Sequence, residues 1–146
     1  PVPTSLKEVV EHVVEYMDRR TSRRVVIETS LPEDDIIVRL NQSLFEWVIE
    51  NLCKNAVDAM EGAGRITITV MEWQRGAVVE VSDTGKGIRK KDMADVFRPG
   101  FTTKKRGWGL GLSLARRIVE EYHSGRIYVK HSELGVGTTF RIELRP

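Results

Sequence analysis

The sequence predicts an α+β protein in which about three helices cover one face of a mixed, mostly antiparallel sheet. The first observation is the order of elements, in which three helical patterns alternate with three pairs of short β-branched segments. The second is that turn-forming residues separate most consecutive strands, which favours hairpins and a two-layer sandwich. The third is the length, because 146 residues suffice for one domain with its own core, which we expect to span residues 1–146.

The first half of the chain is predicted to hold two helices and two strands. Apolar residues recur at spacings of three and four over 5–18, after a serine or threonine cap, which indicates an amphipathic helix. Alternating apolar residues predict strands over 24–30 and 35–40. Asn41 is the expected cap of a second, longer helix over 42–60, which a glycine-rich segment ends.

The second half is predicted to hold two hairpins and a third helix. Strands over 65–71 and 77–82 are joined by a short polar turn with a glycine, which is a hairpin signal. A helix is expected over 110–122 and ends before a glycine. Strands over 126–131 and 138–144 form the last hairpin. The predicted order is therefore αββαββαββ.

Composition and charge exclude several classes of protein. With 40% hydrophobic and 30% charged residues the chain has the composition of an ordinary soluble domain, and no apolar run is long enough to cross a membrane. The single cysteine, Cys53, cannot form an internal disulfide, which fits a reducing compartment. Because the chain begins at Pro1 without a signal-peptide pattern, we expect it to be a segment of a longer protein.

A basic, glycine-rich stretch at 83–109 separates the two hairpins, with one short helix predicted near 92–96. Between positions 86 and 106 eight basic residues stand against two aspartates, a local charge of +6, so the rest of the chain carries −4. Six of the twelve glycines lie between positions 85 and 111. This combination indicates a loop that binds anions, although charge alone equally allows a solvated basic loop.

The second predicted helix carries three polar residues on one side. Asn51, Asn55 and Asp58 are spaced four and three apart, away from the apolar stripe. Amides have mediocre helix propensity, which favours a functional reason for their presence. One interpretation is a ridge that faces a ligand or a hard cation such as Mg²⁺, and the other is a solvated polar face. The three histidines show no zinc-ligand spacing with Cys53, so no intact zinc site is expected.

Two glycine motifs follow. The segment Asp83-Thr-Gly85-Lys-Gly87-Ile88 comes directly after a strand and forms a turn that a flat ligand can approach closely. The segment Gly107-Trp-Gly109-Leu110-Gly111-Leu112 leads into the third helix, where free backbone N–H groups and the helix dipole favour phosphate. It matches neither a P-loop nor a dinucleotide-binding fingerprint.

Four ordered motifs resemble the catalytic, ATP-binding domain of sensor histidine kinases. Asn51-Leu-Cys-Lys-Asn55-Ala-Val-Asp58-Ala is similar to the N box, 83–88 to the first glycine box, 96–104 to the F box and 107–112 to the second glycine box. Gly137-Thr138-Thr139-Phe140 fits the family's last strand. The resemblance spans essentially the whole chain and implies the Bergerat ATP-binding fold, with a mobile ATP lid from about residue 89 to residue 106.

The resemblance also implies roles for individual residues. Asn55 would hold Mg²⁺ and, with Asn51, form the catalytic pair, while Asp58 would border the adenosine. Asp83 would accept a hydrogen bond from the adenine amino group, and Thr138 would support the adenine pocket. The other implied nucleotide contacts are Gly85, Gly87 and Ile88 at the base, Thr102, Thr103 and Lys104 in the lid, and Gly107, Gly109, Leu110, Gly111 and Leu112 at the phosphates.

The implied activity is transfer of the γ-phosphate of Mg-ATP to a histidine on a separate dimerisation domain, with a response regulator as the next partner. The segment would be a monomeric cytoplasmic domain of a homodimeric parent, and the sequence leaves open whether that parent is anchored in a membrane. His12 is followed by Val13 and Val14, so the phosphoacceptor motif is absent and the segment should be inactive alone.

Two sequence features differ from the family's usual pattern. Gly100 stands where a second aromatic is common, which implies looser docking of the lid, and Asp58 stands where many relatives have a phosphate-binding lysine.

The alternative is an ATPase or serine kinase of the same superfamily. Those ATPases place a glutamate four residues before the metal asparagine to activate water, and here that residue is Asn51. A nucleic-acid-binding module that uses the basic residues of 86–106 is disfavoured, because these residues do not interleave with aromatic ones on a strand face.

Overall fold

The computed structural model describes residues 1–99 and 111–146, and it has the predicted α+β architecture, with a five-stranded sheet and a small second sheet. No helix in those residues is long and apolar enough to cross a membrane. The strands are β1 (Val2–Ser5), β2 (Val25–Ser30), β3 (Ile37–Leu40), β4 (Gly64–Trp73), β5 (Gly76–Asp83), β6 (Arg126–Glu133) and β7 (Gly137–Leu144); the α-helices are α1 (Leu6–Arg20), α2 (Gln42–Ala59) and α3 (Gly111–Arg117).

The two long helices begin at side-chain caps. The Ser5 hydroxyl accepts a hydrogen bond from the Glu8 N–H at the start of α1, and the Asn41 side chain accepts one from the Leu44 N–H at the start of α2. Each cap satisfies a backbone donor that has no partner within its helix. Both helices bury one apolar stripe, and Phe45 on α2 is among the largest fully buried side chains. The periodicity therefore predicted both helices correctly.

The main sheet has the order β2-β4-β5-β7-β6, in which β2 runs parallel to β4 and the other neighbours are antiparallel. Alternate residues of each strand pack beneath the helices, as Val79 and Val81 of β5 do. The outer face carries polar side chains, among them Glu80, which pairs with Lys130 at 2.9 Å and with Arg141 at 3.3 Å. The alternation places Asp83 on the helix-facing side at the end of β5.

The expectation that consecutive strands pair was wrong at the amino-terminal end. Strand β3 does not pair with β2 but with β1, a strand that the sequence did not predict, in the small antiparallel sheet. Strand β2 instead lies parallel to β4, with the crossover passing through α2. Four residues are too few to show a period, and the pairing of β1 depends on the burial of Thr4 against Val38 and Leu40, which is a tertiary contact.

The helix predicted near 92–96 was also wrong. The structure has a 3₁₀ turn over Lys90–Asp92, and non-helical turns follow. Val96 and Phe97 are adjacent in the chain and both are buried, which a surface helix with a single narrow apolar face would not achieve.

The third predicted helix is divided. Helix α3 is regular over Gly111–Arg117, and the next turn, Ile118–Tyr122, is π-helical; Leu110 lies outside the described residues. At its end the His123 Nδ1–H donates to the Ile118 carbonyl at 3.0 Å, while Nε2 accepts the Asn41 N–H at 3.0 Å. These contacts join the end of the third helix to the start of α2. A search for 3.6-residue periodicity in the sequence cannot detect this wider turn.

Candidate nucleotide-binding site

Asp83 is the fixed carboxylate of the candidate site. Its side chain accepts hydrogen bonds from the backbone N–H groups of Gly85, at 2.8 Å, and of Thr138. Burial raises the pKa of Asp83 above its ordinary value, and the two backbone hydrogen bonds oppose that rise. Because a carboxylate offers about four lone-pair directions, it can accept a further donor from a ligand. Its orientation is therefore set before any ligand binds.

The loop that follows Asp83 lies against the carboxyl end of α2. The Lys86 N–H donates to the Ala59 carbonyl at 3.0 Å, and the Lys86 carbonyl accepts from the Gly135 N–H at 2.9 Å. A side chain at Gly85 would place its Cβ 2.8 Å from the backbone of Ala59, so only glycine allows this approach. Gly87 has φ +79°, where a side chain would also meet the backbone of Glu133.

The polar ridge of α2 extends from this loop toward the start of α3. Asn51 and Asn55 are half-buried, and Asp58 is exposed. A Cβ at Gly111 would lie 2.7 Å from Nδ2 of Asn51, so the third helix begins directly against this side chain. From Ala59 to Asn51 the helix rises about 12 Å. The predicted base-binding loop and the predicted phosphate-binding residues thus lie at opposite ends of one helical ridge.

The donor set suits a magnesium ion that is held mainly by its nucleotide. Within 1–99 and 111–146 no three histidine, cysteine, aspartate or glutamate side chains group as metal ligands. Cys53 is buried, and burial raises the pKa of its thiol to about 12, so it offers no thiolate. Asn55 presents an amide oxygen, which is a hard ligand, and Mg²⁺ commonly takes one or two protein oxygens together with phosphates and water.

The described part of the F box is packed into the core. Phe97 is buried and meets Phe140 of β7 edge to face, with ring centroids 5.9 Å apart, and the Arg116 guanidinium lies 5.9 Å from the same ring. Phe97 therefore anchors the described part of the predicted lid to β7 and to α3.

The structure places the predicted residues in two groups along α2. Asp83, Gly85 and Thr138 meet at its carboxyl end, with Gly87 and Ile88 on the same loop. Asn51 meets Gly111 at the start of α3, where Leu112 follows, and Asn55 lies on α2 between the two groups. The remaining predicted contacts, Thr102, Thr103, Lys104, Gly107, Gly109 and Leu110, lie outside the described residues. Sequence reasoning missed Ser132, whose hydroxyl accepts the Ile88 N–H at 2.8 Å. A lone serine in a strand gives no signal without the fold around it.

Two glycines of the β6–β7 turn make a matched pair for testing the close contact behind Asp83. A Cβ at Gly137, with φ +149°, would lie 1.9 Å from the Asp83 carbonyl oxygen, whereas one at Gly135, with φ +76°, meets no atom within 4 Å. We expect Gly137→Ala to lower the free energy of unfolding by about 3 kcal/mol or more, and Gly135→Ala by about 1 kcal/mol from backbone strain alone. Urea denaturation measures both, and equal losses would contradict the contact.

These features define a class of α+β domain. An aspartate ends one strand of the sheet, a glycine-containing loop packs against the helix α2, and asparagines on that helix lie beside the start of α3. The family model for histidine kinase-, DNA gyrase B- and HSP90-like ATPases matches residues 40–146, and the chain belongs to this family.

Similar proteins include histidine kinases and a sporulation kinase. The chain is 30% identical to sporulation kinase C of Bacillus subtilis over 95% of its own length and 32% of that protein. It superimposes on the catalytic domain of histidine kinase ThkA with a TM-score of 0.86 at 28% identity, covering 99% of this chain and 95% of that one. It is also similar to ThkA solved with the response regulator TrrA, and to full-length ShkA solved with AMPPNP.

The ThkA complex superimposes with a TM-score of 0.81 at 27% identity, covering 99% of this chain and 42% of that one. ShkA superimposes with a TM-score of 0.84 at 26% identity, covering 98% of this chain and 30% of that one. The chain spans about a third or less of the length of the curated relatives it matches. The sequence-based identification of a histidine-kinase catalytic, ATP-binding domain is confirmed.

Proposed function

We propose that this domain binds Mg-ATP and transfers its γ-phosphate to a histidine on a separate dimerisation domain. The observation that carries the proposal is the pre-oriented, half-buried Asp83 carboxylate at one end of a ridge whose other end holds Asn55 and Asn51. A charged acceptor suits the amino group of adenine, and amide oxygens suit a magnesium-bound polyphosphate. The two ends match the two ends of ATP.

Base recognition falls to the strand end and its loop. Asp83 accepts from the adenine amino group, and Thr138 supports the carboxylate from β7. Gly85 and Gly87 let the loop pack closely against Ala59 and Glu133, and the purine lies against the backbone of this loop. Asp58, exposed two turns beyond Asn51, borders the adenosine. Guanine presents a carbonyl oxygen where adenine presents the amino group, so the carboxylate selects adenine by charge.

Phosphate recognition falls to the ridge and the second glycine motif. Asn55 would hold Mg²⁺, which would supply positive charge to offset that of the phosphates. Asn51 would orient the ion, and the second glycine motif, which contributes Gly107, Gly109, Leu110, Gly111 and Leu112, would cap the phosphates through its backbone N–H groups. Thr102, Thr103 and Lys104, which lie outside the described residues, would contact the terminal phosphates. Phosphoryl transfer then depends on positioning and charge stabilisation, with little covalent work for the protein.

The acceptor of the phosphoryl group is supplied by another domain. A neutral imidazole carries a lone pair at pH 7 and needs no general base, so a histidine can attack the γ-phosphorus directly. The new N–P bond replaces the bond to the bridging oxygen of the β-phosphate, and ADP leaves. The phosphoryl group then passes to a response regulator, a partner class that the ThkA complex with TrrA supports. We place this domain in the cytoplasm of a homodimeric parent, as one unit over residues 1–146.

The isolated chain should bind Mg-ATP but hydrolyse it very slowly and not label itself. Asn51 has an amide and no basic oxygen that could take a proton from water, so water remains a poor nucleophile. We expect a rate on the order of 10⁻³ s⁻¹ or slower, as in nucleotide hydrolases without their activating group. Calorimetry tests ATP and ADP binding, and phosphate release tests turnover. Rapid, steady hydrolysis would favour the ATPase alternative.

A further inference from the structure

Strand β6 contains a bulge that changes which side chains face the helices. Its ladder with β7 pairs Val129 with Phe140 and then His131 with Thr139, so that Lys130 has no opposite residue. Val129 packs against the core, and simple alternation would turn His131 to the same face. Because of the extra residue His131 is exposed, and Ser132 faces the helix side opposite buried Thr138.

The hydroxyl of Ser132 contacts two backbone groups and one side-chain hydroxyl that border the candidate site. Its oxygen accepts the Ile88 N–H at 2.8 Å, at the end of the Asp83 loop. The same oxygen lies 2.8 Å from Oγ1 of Thr138 and 3.3 Å from the carbonyl of Gly137. A hydroxyl can accept from Ile88 and donate to β7 at once, which no apolar side chain of similar size can do.

The bulge itself is fixed from the other face of the sheet. The Lys130 ammonium donates to Oε2 of Glu80 at 2.9 Å, and the Arg141 guanidinium reaches the same oxygen at 3.3 Å. Glu80 is only 8% exposed although it lies on the outer face. This network holds the unpaired residue outward, and Ser132 is thereby held inward.

We propose that Ser132 is a positioning residue for the nucleotide base. It touches no nucleotide itself and acts through the Ile88 N–H, so that the loop 83–88 is tied to β7 at Asp83 and to β6 at Ile88. The inference rests on the proposed function, which it deepens by adding a second, outer anchor for the base-binding loop. Bulges frequently serve to aim a side chain beside a functional site.

The test is the variant Ser132→Ala, studied by calorimetry and by amide hydrogen exchange. Losing one neutral hydrogen bond to the loop should weaken ATP and ADP by the same factor, roughly three- to tenfold, because the loop contacts the base and not the terminal phosphate. Without nucleotide, exchange at the Ile88 amide should become faster by a similar factor while core amides keep their protection. A general loss of stability would instead speed exchange throughout.

The matched control is Ser82→Ala. It removes a comparable hydroxyl pair, Ser82 Oγ to Thr139 Oγ1 at 2.7 Å, on the outer face of the same sheet, and no loop N–H is donated to it. We expect wild-type affinity and wild-type exchange at Ile88. If Ser82→Ala and Ser132→Ala behave alike, the positioning role is wrong.

The outcomes separate the inference from the function on which it rests. If the wild-type chain binds ATP and Ser132→Ala binds it equally well, the inference fails and the proposed function stands. If the wild-type chain does not bind ATP, the proposed function fails. In that case unchanged exchange at Ile88 in Ser132→Ala overturns the anchoring as well, and faster exchange supports it.

Discussion

Replacing Asn55 by alanine abolishes transfer of labelled phosphate to a histidine-bearing dimerisation domain, which is the largest effect that we expect. Asn55 is the half-buried amide on the α2 ridge, and on the proposed function its oxygen is the protein's ligand to Mg²⁺. Removing one group that stabilises transition-state charge costs a factor of about 100 to 1000 in rate. The measurement is radiolabelled γ-phosphate on the dimerisation domain from the same parent protein.

Two further variants make this result specific. Asn55→Asp keeps an oxygen at the same place, so it should transfer better than Asn55→Ala. Gln42→Ala removes an amide at the opposite end of α2, where it contacts Glu46 at 2.9 Å, and should transfer normally. In Asn55→Ala, ATP affinity should also become insensitive to added Mg²⁺. Normal phosphate transfer by Asn55→Ala would show that the assignment of Asn55 as the Mg²⁺ ligand is wrong.

Asp83→Asn should weaken ATP binding about tenfold to a hundredfold. A hydrogen bond to a charged acceptor contributes about 1.5 to 3 kcal/mol, and each 1.4 kcal/mol is a factor of ten. The amide that replaces the carboxylate also brings its own N–H₂ group toward the Gly85 and Thr138 N–H donors, so that its single oxygen cannot serve all of them. Calorimetry with ATP and GTP measures the change.

Selectivity and pH make the assignment to adenine testable separately from affinity. Asp83→Asn should narrow the preference for ATP over GTP, because the neutral side chain repels the guanine carbonyl less.

Since burial raises the pKa of Asp83, acidification neutralises this carboxylate at a higher pH than it does an ordinary aspartate. Adenosine affinity in the wild type should therefore fall as the pH is lowered through that raised pKa, and Asp83→Asn should lack this fall. Asp18→Asn, on α1, is a control that should leave binding unchanged.

Much of this domain follows from short-range sequence patterns. The helical stripe of α2 and its Asn41 cap act within a few residues, so they were predicted correctly. The glycines of the first glycine motif were recognised because backbone freedom is a local property, and the structure shows close contacts at Gly85 and Gly87. The family also follows from sequence, because its motifs are short segments in a fixed order.

Tertiary structure decided the features that depend on partners far away in the chain. The pairing of β1 with β3 and of β2 with β4 depends on which apolar surfaces become buried against each other in the folded domain. A short stretch of sequence does not contain that information. The π-helical turn at Ile118–Tyr122 and the bulge at Lys130 each add one residue to a regular period. His123 contacts the first through the Ile118 carbonyl, and Glu80 holds the second through the Lys130 ammonium. The role proposed for Ser132 could be inferred only from the structure, since one extra residue in a strand decides which side chain faces the helices.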